Sequence, residues 1–111
     1  MHAKQPNQTD RPKKQFICFL SPARPEMPDS PTPEEAELVG KHFNYYQSLL
    51  AESALILAGR TLEPPFTGIM IFESTDRDAA QTIVNADPAV QAGVFNARLQ
   101  PYSVALMRDQ S

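Results

Sequence analysis

The feature that most limits the possible folds is one short strand that is apolar on both of its faces. This strand is predicted over residues 67–73 and carries four large apolar side chains in a row: Ile69, Met70, Ile71 and Phe72. Successive side chains of a strand point to opposite faces of the sheet, so a strand of this kind is buried on both faces. The sheet that contains it therefore needs a cover on each side, and a chain of 111 residues has little material for two covers.

Three more strands are predicted from runs of β-branched and aromatic residues. They are expected over residues 15–20, over 54–58 with a stop at Gly59, and over 94–106. The last run contains Pro101, which cannot donate a ladder hydrogen bond and therefore predicts a bulge or an edge strand.

The first strand is followed by a loop, residues 21–33, that contains five prolines. Each proline fixes φ and removes a backbone donor, so neither a helix nor an internal strand can run through this segment. We expect the loop to be stiff. It is either the wall of a pocket or only a connection.

The longest helix has clear signals at its start. Thr32, Pro33 and Glu35 provide a capping threonine, a proline at the first helical position and a glutamate at the third, which predicts a helix over 33–51. His42 lies inside the apolar half of this helix, not at its edge. That half consists of Leu38, Val39, His42, Phe43, Tyr45, Tyr46, Leu49 and Leu50.

A second helix is predicted to begin at residue 74 or 75, with Asp76 and Asp78 in its first turn, where the helix dipole favours negative charge. Asp87 and Pro88 end it and open a short helical turn over 88–92.

The resulting order of elements, β-α-β-β-α-β, is that of the ferredoxin-like split βαβ fold, an α+β sandwich. Its two helices cover only one face of the sheet, yet the strand at 67–73 requires a second cover. We expect that cover to be another copy of the chain, which predicts a homodimer packed sheet to sheet; a large bound ligand or a partner domain is the alternative. The domain is predicted over residues 15–107, between a flexible tail, 1–14, and a short C-terminal tail, 108–111.

Charge and composition exclude several classes of function. The net charge is −3, with +3 in residues 1–14 and −6 in the remainder, so no nucleic-acid partner is predicted and the weakly basic tail is interpreted as disordered. One cysteine and two histidines are too few for a structural zinc site, and no metal or other cofactor is expected. The polar start does not resemble a signal peptide and no apolar stretch could span a membrane, so we expect a cytoplasmic protein without a membrane partner.

The sequence contains no glycine-rich phosphate loop, CxxC, HExxH or GxSxG motif. Two polar residues in unusual places remain as candidate catalytic residues. His42 is either a satisfied core histidine or a general acid and base, because histidine gains and loses a proton near neutral pH. Asp87 is either a helix cap or the partner that orients a histidine, and its two oxygens allow both roles at once.

Four further residues are candidates for substrate binding. Arg24 and Arg60 are either surface residues or forks that bind a ligand carboxylate. Tyr45 and Tyr46 are either packing residues or include one phenol that lines a pocket. Cys18 alternates with core positions, so it is interpreted as a small core residue in preference to a nucleophile.

The order and spacing of several short segments resemble the YciI-like (YCII-related) family over about residues 15–107. The most specific segment is the Asp-Pro-x-Val-x-Ala-Gly pattern that begins at Asp87. This chain departs from the family in its N-terminal tail and in Arg60, since a proline is common after the preceding glycine. The matching segments are Phe19-Leu20 through Arg24-Pro25, Pro33-Glu34-Glu35, His42 with Tyr45 or Tyr46, Leu57-Ala58-Gly59, Gly68-Ile69, and Asp87 through Phe95.

The resemblance implies a dimeric α+β barrel in which the helix histidine and the aspartate share a pocket as a proposed acid–base pair, here His42 and Asp87. Fold relatives include muconolactone-isomerase-like enzymes, and one branch of the family is linked to dehydrochlorinase-type chemistry on a chlorinated aromatic diol. Two hypotheses follow. The chain is a small isomerase or lyase that acts on a cyclic or carboxylated molecule, or it is a non-catalytic ligand-binding or interaction module of the same fold.

Overall fold

The computed structural model describes residues 12–108, and the predicted order of strands and helices is present, with the short helical turn predicted after Asp87 as a third helix. Between residues 12 and 108, no helix is long and apolar enough to cross a membrane. The elements are β1 (Lys14–Pro22), α1 (Pro33–Ala51), β2 (Leu55–Arg60), β3 (Gly68–Ser74), α2 (Arg77–Asn85), α3 (Pro88–Gln91) and β4 (Phe95–Tyr102).

The four strands form one antiparallel sheet in the order β2-β3-β1-β4. The fold is therefore a small α+β fold in which β1 and β3 are central and β2 and β4 are the edges. Pro101 lies in β4, opposite Phe16, so of the two alternatives predicted from this proline, a bulge or an edge strand, the edge strand is confirmed.

The helices pack on one face of this sheet and enclose the hydrophobic core. Alternate residues of the two central strands point into it, and Cys18 and Phe72 have no exposed surface. Cys18 is thus a core residue, as its alternation predicted. The core also takes in side chains from both longer helices and from β4; it comprises Phe16, Cys18, Leu20, Tyr46, Leu49, Leu55, Met70, Phe72, Ala80, Val84 and Leu99.

The other face of the sheet, here called the open face, is partly covered by the chain itself. After β4 the chain stays beside the start of β1, since the amide of Val104 donates to Oε1 of Gln15 at 2.8 Å. Met107 and Arg108 then lie beside Leu57 at the far edge of the sheet. Residues 103–108 therefore provide part of the second cover that the apolar strand β3 requires.

Several element boundaries differ from the predictions. Gly59 does not end the second strand, because β2 continues through Arg60, which pairs with Gly68 of β3. Asp76 is the N-cap of α2 and not part of its first turn, since its side chain accepts from the amide of Ala79 at 2.8 Å. The last strand ends at residue 102, well before the predicted 106. Part of the predicted tails, residues 1–11 and 109–111, lies outside the described residues.

Candidate functional site

The start of α1 fixes the direction in which its side chains point. Thr32 accepts from the amide of Glu35 at 3.1 Å, and the Glu35 carboxylate accepts from the amide of Thr32 at 2.9 Å, which completes the predicted capping box. With Pro33 at the first position, the helix begins and ends where the sequence predicts. His42 follows near its middle, on the side that faces α3.

His42 and Asp87 are in contact. Nδ1 of His42 lies 2.6 Å from Oδ2 of Asp87, a short distance typical of a hydrogen bond with an ionised partner. The Asp87 side chain is completely buried, whereas the His42 side chain keeps 17 % of its surface exposed. The pair therefore has a buried carboxylate behind a histidine that reaches solvent.

Asp87 holds two hydrogen bonds in different directions. It is the N-cap of α3, and its Oδ1 accepts from the amide of Ala89 at 2.9 Å while Oδ2 faces His42. The two roles weighed from the sequence are thus present in one side chain. The cap therefore holds the carboxylate through a hydrogen bond that is separate from its contact with the histidine.

The ring of His42 is held between two aromatic rings. The ring centroid of Tyr46 lies 5.1 Å away in an edge arrangement, and that of Phe95 lies 5.0 Å away. Phe95 follows α3 directly, so the segment that carries Asp87 also supplies this second ring. Since Nδ1 is bound to Asp87, the neutral ring carries its proton on Nδ1 and offers the lone pair of Nε2 to a ligand.

His42 lies on the wall of a cleft of about 910 Å³ between α1 and the helix-facing side of the sheet. The proline loop forms one wall through Pro22, Pro28 and Pro31, which supports the pocket interpretation of this loop. Most of the lining is apolar. The remaining side chains around it are Leu20, Met27, Ala36, Val39, Phe43, Tyr46, Gln47, Leu50, Leu55, Ile56, Leu57, Ala58, Arg60, Phe66, Thr67, Met70 and Phe95.

Of the two candidate arginines, only Arg60 lines the cleft. Arg24 instead fixes the proline loop to the start of α1. Its guanidinium donates to Glu35 at 2.6 and 3.0 Å and to the carbonyl of Ser30 at 2.7 Å. The hydrogen bond from Arg24, with help from the Thr32 amide, lowers the pKa of Glu35 from 4.5 to about 2. The structure therefore gives Arg24 a structural partner and no place at the cleft.

The two candidate tyrosines also have different surroundings. The Tyr45 hydroxyl donates to the carbonyl of Ile83 at 2.6 Å and ties α1 to α2, away from the cleft. Tyr46 lines the cleft, and its buried hydroxyl has no hydrogen-bond partner within residues 12–108. Burial, with smaller effects of Cys18, Asp87 and Tyr45, raises the pKa of the Tyr46 hydroxyl, so this phenol stays protonated at neutral pH.

The other reactive side chains of residues 12–108 give no second centre. Burial raises the pKa of the Cys18 thiol from 9.0 to about 11, which keeps it in the unreactive protonated form. In the part of the chain that the structure describes, no three His, Cys, Asp or Glu side chains are grouped so that they could hold a metal ion.

Phe95 and Phe43 are among the residues of the cleft that sequence reasoning missed. Phe95 was expected only as part of a strand, and its contact with His42 depends on how α3 folds back onto α1. Phe43 was expected to pack inside, yet 62 % of it is exposed along the cleft. The apolar spacing of the helix showed which residues share a side, but not that part of that side lines an open cleft.

Comparisons with known proteins agree with this architecture. The sequence profile described as the YCII-related domain matches residues 15–99. No curated protein sequence matches the chain. Among solved structures, 5-chloro-2-hydroxyhydroquinone dehydrochlorinase from Burkholderia phenoliruptrix, in complex with 2,5-dihydroxybenzoquinone, is similar with a TM-score of 0.64 and 19 % identity, over 80 % of this chain and 93 % of that one. An uncharacterized protein from Thermotoga maritima is similar with a TM-score of 0.52 and 10 % identity, over 83 % of this chain and 100 % of that one. At these identities the structural matches show a shared fold.

Proposed function

The chain belongs to the YCII-related family, and from this premise we propose that it is a small enzyme that moves a proton on a cyclic or carboxylated substrate. The observation that carries the proposal is the 2.6 Å contact between Nδ1 of His42 and Oδ2 of Asp87, at the wall of a cleft. A histidine that is oriented by a buried carboxylate and still reaches solvent has the arrangement of a general base.

In the proposed reaction, Nε2 of His42 accepts a proton from a carbon atom of the substrate. The ring becomes a cation, and the Asp87 carboxylate stabilises that cation through the hydrogen bond at Nδ1. In an isomerisation, the same nitrogen returns the proton to a different carbon atom. In an elimination, the electron pair of the broken C–H bond forms the new double bond and the halide leaves with the electrons of its own bond. Proton transfer by a positioned side chain typically contributes about 10²–10⁴-fold in rate.

The fold that this chain shares with a dehydrochlorinase supports the elimination as one form of the reaction. The lining of the cleft supports it as well, because an apolar site strengthens the interaction between the imidazolium and the carboxylate. Arg60 and Tyr46, which line the same cleft, are the proposed substrate-binding residues.

We also propose that two copies pack through the open face of the sheet to form a dimeric α+β barrel. Leu57 and Tyr102 are 47 % and 42 % exposed, and Phe19 and Ile69 are partly exposed on the same face. Ile17 and Ile71, at the centre of this face, are already 7 % exposed in one chain. A second copy would therefore bury mainly the exposed side chains at the rim of the open face, because those at its centre are already buried within one chain.

The proposal is tested by measuring the exchange of protons between a carbon atom of the substrate and the solvent. The protein is incubated in D₂O with small lactones, cyclic diones and chlorinated hydroxyquinones, and C–H to C–D exchange and halide release are followed. We expect exchange or halide release that falls by about 100-fold or more in His42→Gln. Lys41→Gln is the matched control, since Lys41 is the neighbouring exposed residue and pairs with Glu37 outside the cleft. Turnover that is unchanged in His42→Gln contradicts the proposal; binding without any exchange favours the non-catalytic module.

A further inference from the structure

The cleft is larger and longer than a single ring requires. A cavity of about 150 Å³ is enough to hold benzene, whereas this cleft measures about 910 Å³. Ala36 and Leu50 of α1 both line it, and at 1.5 Å per residue they are separated by about 21 Å along the helix. Leu55 and Arg60 line it from β2, about 16 Å apart along the strand. The space is therefore elongated, with His42 near the middle of its length.

Most of the cleft wall is apolar side chain that remains open to solvent. Phe43 is 62 % and Leu50 is 56 % exposed, and both stand on the side of α1 that lines the cleft. They are separated by two helical turns, with Gln47 between them. A solvent-exposed apolar wall of this extent is typical of a ligand site and is not needed for the core, to which α1 contributes Tyr46 and Leu49.

Among residues 12–108, Arg60 is the one side chain with a permanent charge that lines the cleft. No aspartate or glutamate of this range lines it, and His42 is the other basic side chain there. The guanidinium of Arg60 makes no hydrogen bond or ion pair with any residue in the range 12–108, in contrast to Arg24 and Arg77. Its backbone is nevertheless fixed: Arg60 pairs with Gly68, and the amide of the next residue, Thr61, donates to the carbonyl of Thr67 at 2.9 Å.

From these observations we propose that the cleft binds an elongated organic anion, with a carboxylate held by Arg60 and an apolar body of two or more rings, or a chain of similar length, between α1 and the sheet. The orientation of this anion in the cleft rests on the proposed function, which requires the reacting carbon atom to lie beside Nε2 of His42. A guanidinium forms paired hydrogen bonds with a carboxylate, and the apolar wall contributes in proportion to the area it buries. In this arrangement Arg60 selects ligands that carry a negative charge, and Phe43 and Leu50 select ligands with a long apolar body.

Binding of a matched set of probes tests this proposal without any need for turnover. The probes are 2-naphthoate, its neutral analogue 2-naphthamide, and benzoate, and binding is measured by titration calorimetry and by amide chemical shifts in NMR. We expect 2-naphthoate to bind about tenfold more tightly than either 2-naphthamide or benzoate. In Arg60→Gln, the affinity for 2-naphthoate should fall to the level of the affinity for 2-naphthamide. The affinity for 2-naphthamide itself should stay within twofold of its wild-type value.

Two controls separate charge recognition from other effects. Lys41→Gln removes a positive charge from the opposite side of α1 and should leave all three affinities unchanged. His42→Gln should keep the preference for 2-naphthoate, so a failed proton-transfer test and a failed binding test give different results. Equal affinity for the acid and the amide, an equal loss of both in Arg60→Gln, or no binding of any probe overturns the proposal. Release of monomers on addition of 2-naphthoate also overturns it, because a second copy would then occupy the cleft.

Discussion

Asp87 accepts one hydrogen bond from His42 and another from the start of its own helix, so the orientation of the histidine depends on a local helix cap 45 residues away in the sequence. The carboxylate is completely buried, and each of its oxygens has a defined donor. A change that keeps the cap but alters the atom facing His42 therefore separates the two roles of this residue.

Asp87→Asn is that change. Asparagine caps a helix about as well as aspartate, so its carbonyl oxygen still accepts from Ala89 and the amide group turns to His42. An amide group donates, so Nδ1 of His42 must then accept, and the neutral ring changes from the Nδ1–H to the Nε2–H form. We expect long-range ¹⁵N–¹H NMR spectra to show this change, together with a loss of about 10²–10⁴-fold in any proton-transfer activity.

A ring that keeps its proton on Nδ1 in Asp87→Asn would contradict the assigned hydrogen bond. Asp87→Ala is the complementary variant, because it removes the cap as well. It should lower the free energy of unfolding by about 1 kcal/mol or more, as measured by urea denaturation.

The neighbouring tyrosines of α1 should respond differently to loss of their hydroxyl groups. Tyr45→Phe removes the hydrogen bond to the carbonyl of Ile83 and should lower the free energy of unfolding by about 1 kcal/mol. Tyr46→Phe removes a buried hydroxyl without a partner in the described residues, so it should be neutral or stabilising. Urea denaturation of the two variants beside wild type measures the difference. Equal destabilisation would mean that the Tyr46 hydroxyl has a partner that matters, such as a bound water.

The fork between Arg24 and Glu35 should make stability depend on pH in the acidic range. The pKa of Glu35 falls from 4.5 to about 2 on folding, so its stabilising contribution is present above about pH 4.5 and is lost as the pH falls towards 2. Glu35→Gln keeps the capping box but removes the charge. We expect this variant to be less stable than wild type at pH 6 and to lose less stability between pH 5 and pH 3.

Glu34→Gln is the matched control for this prediction, because Glu34 occupies the same first turn of α1 and is exposed. Urea denaturation at pH 6, 5 and 3 should give parallel curves for this control and wild type. If the free energy of unfolding of Glu35→Gln also changes with pH in parallel with that of wild type, the fork between Arg24 and Glu35 contributes nothing to stability.

The structural features that were predicted best from the sequence are those that depend on residues close together in the chain. The start of α1 is the one expected from Thr32 and Pro33, because a capping signal acts within one helical turn. The capping role of Asp87 was also open to local reasoning, since it depends on Pro88 and Ala89 directly after it. A bulge or an edge position for β4 was predicted from a single residue, Pro101, and the structure has the edge position.

What the sequence did not predict depends on contacts between distant segments. Arg24 and Arg60 were equivalent candidates, and only the position of Glu35 beside the proline loop directs Arg24 away from the cleft. β2 continues past Gly59 because pairing with β3 outweighs the low strand preference of glycine. The contact of Phe95 with His42 likewise arises only once α3 packs on α1.

The proposed packing of two copies through the open face gives the last prediction. Leu57 stands at the rim of that face and is 47 % exposed, whereas Leu62 is 77 % exposed in the turn after β2, outside the sheet. We expect wild type to sediment at twice the mass of one chain. Leu57→Glu would place a charged group against an apolar surface of the second copy, so this variant should sediment as a monomer at micromolar concentration. Leu62→Glu adds the same charge where no second copy is proposed and should remain dimeric. A monomeric wild type, or two variants with the same mass, would show that the rim of the open face is not the interface and that residues 103–108 are a sufficient cover for the two-faced strand.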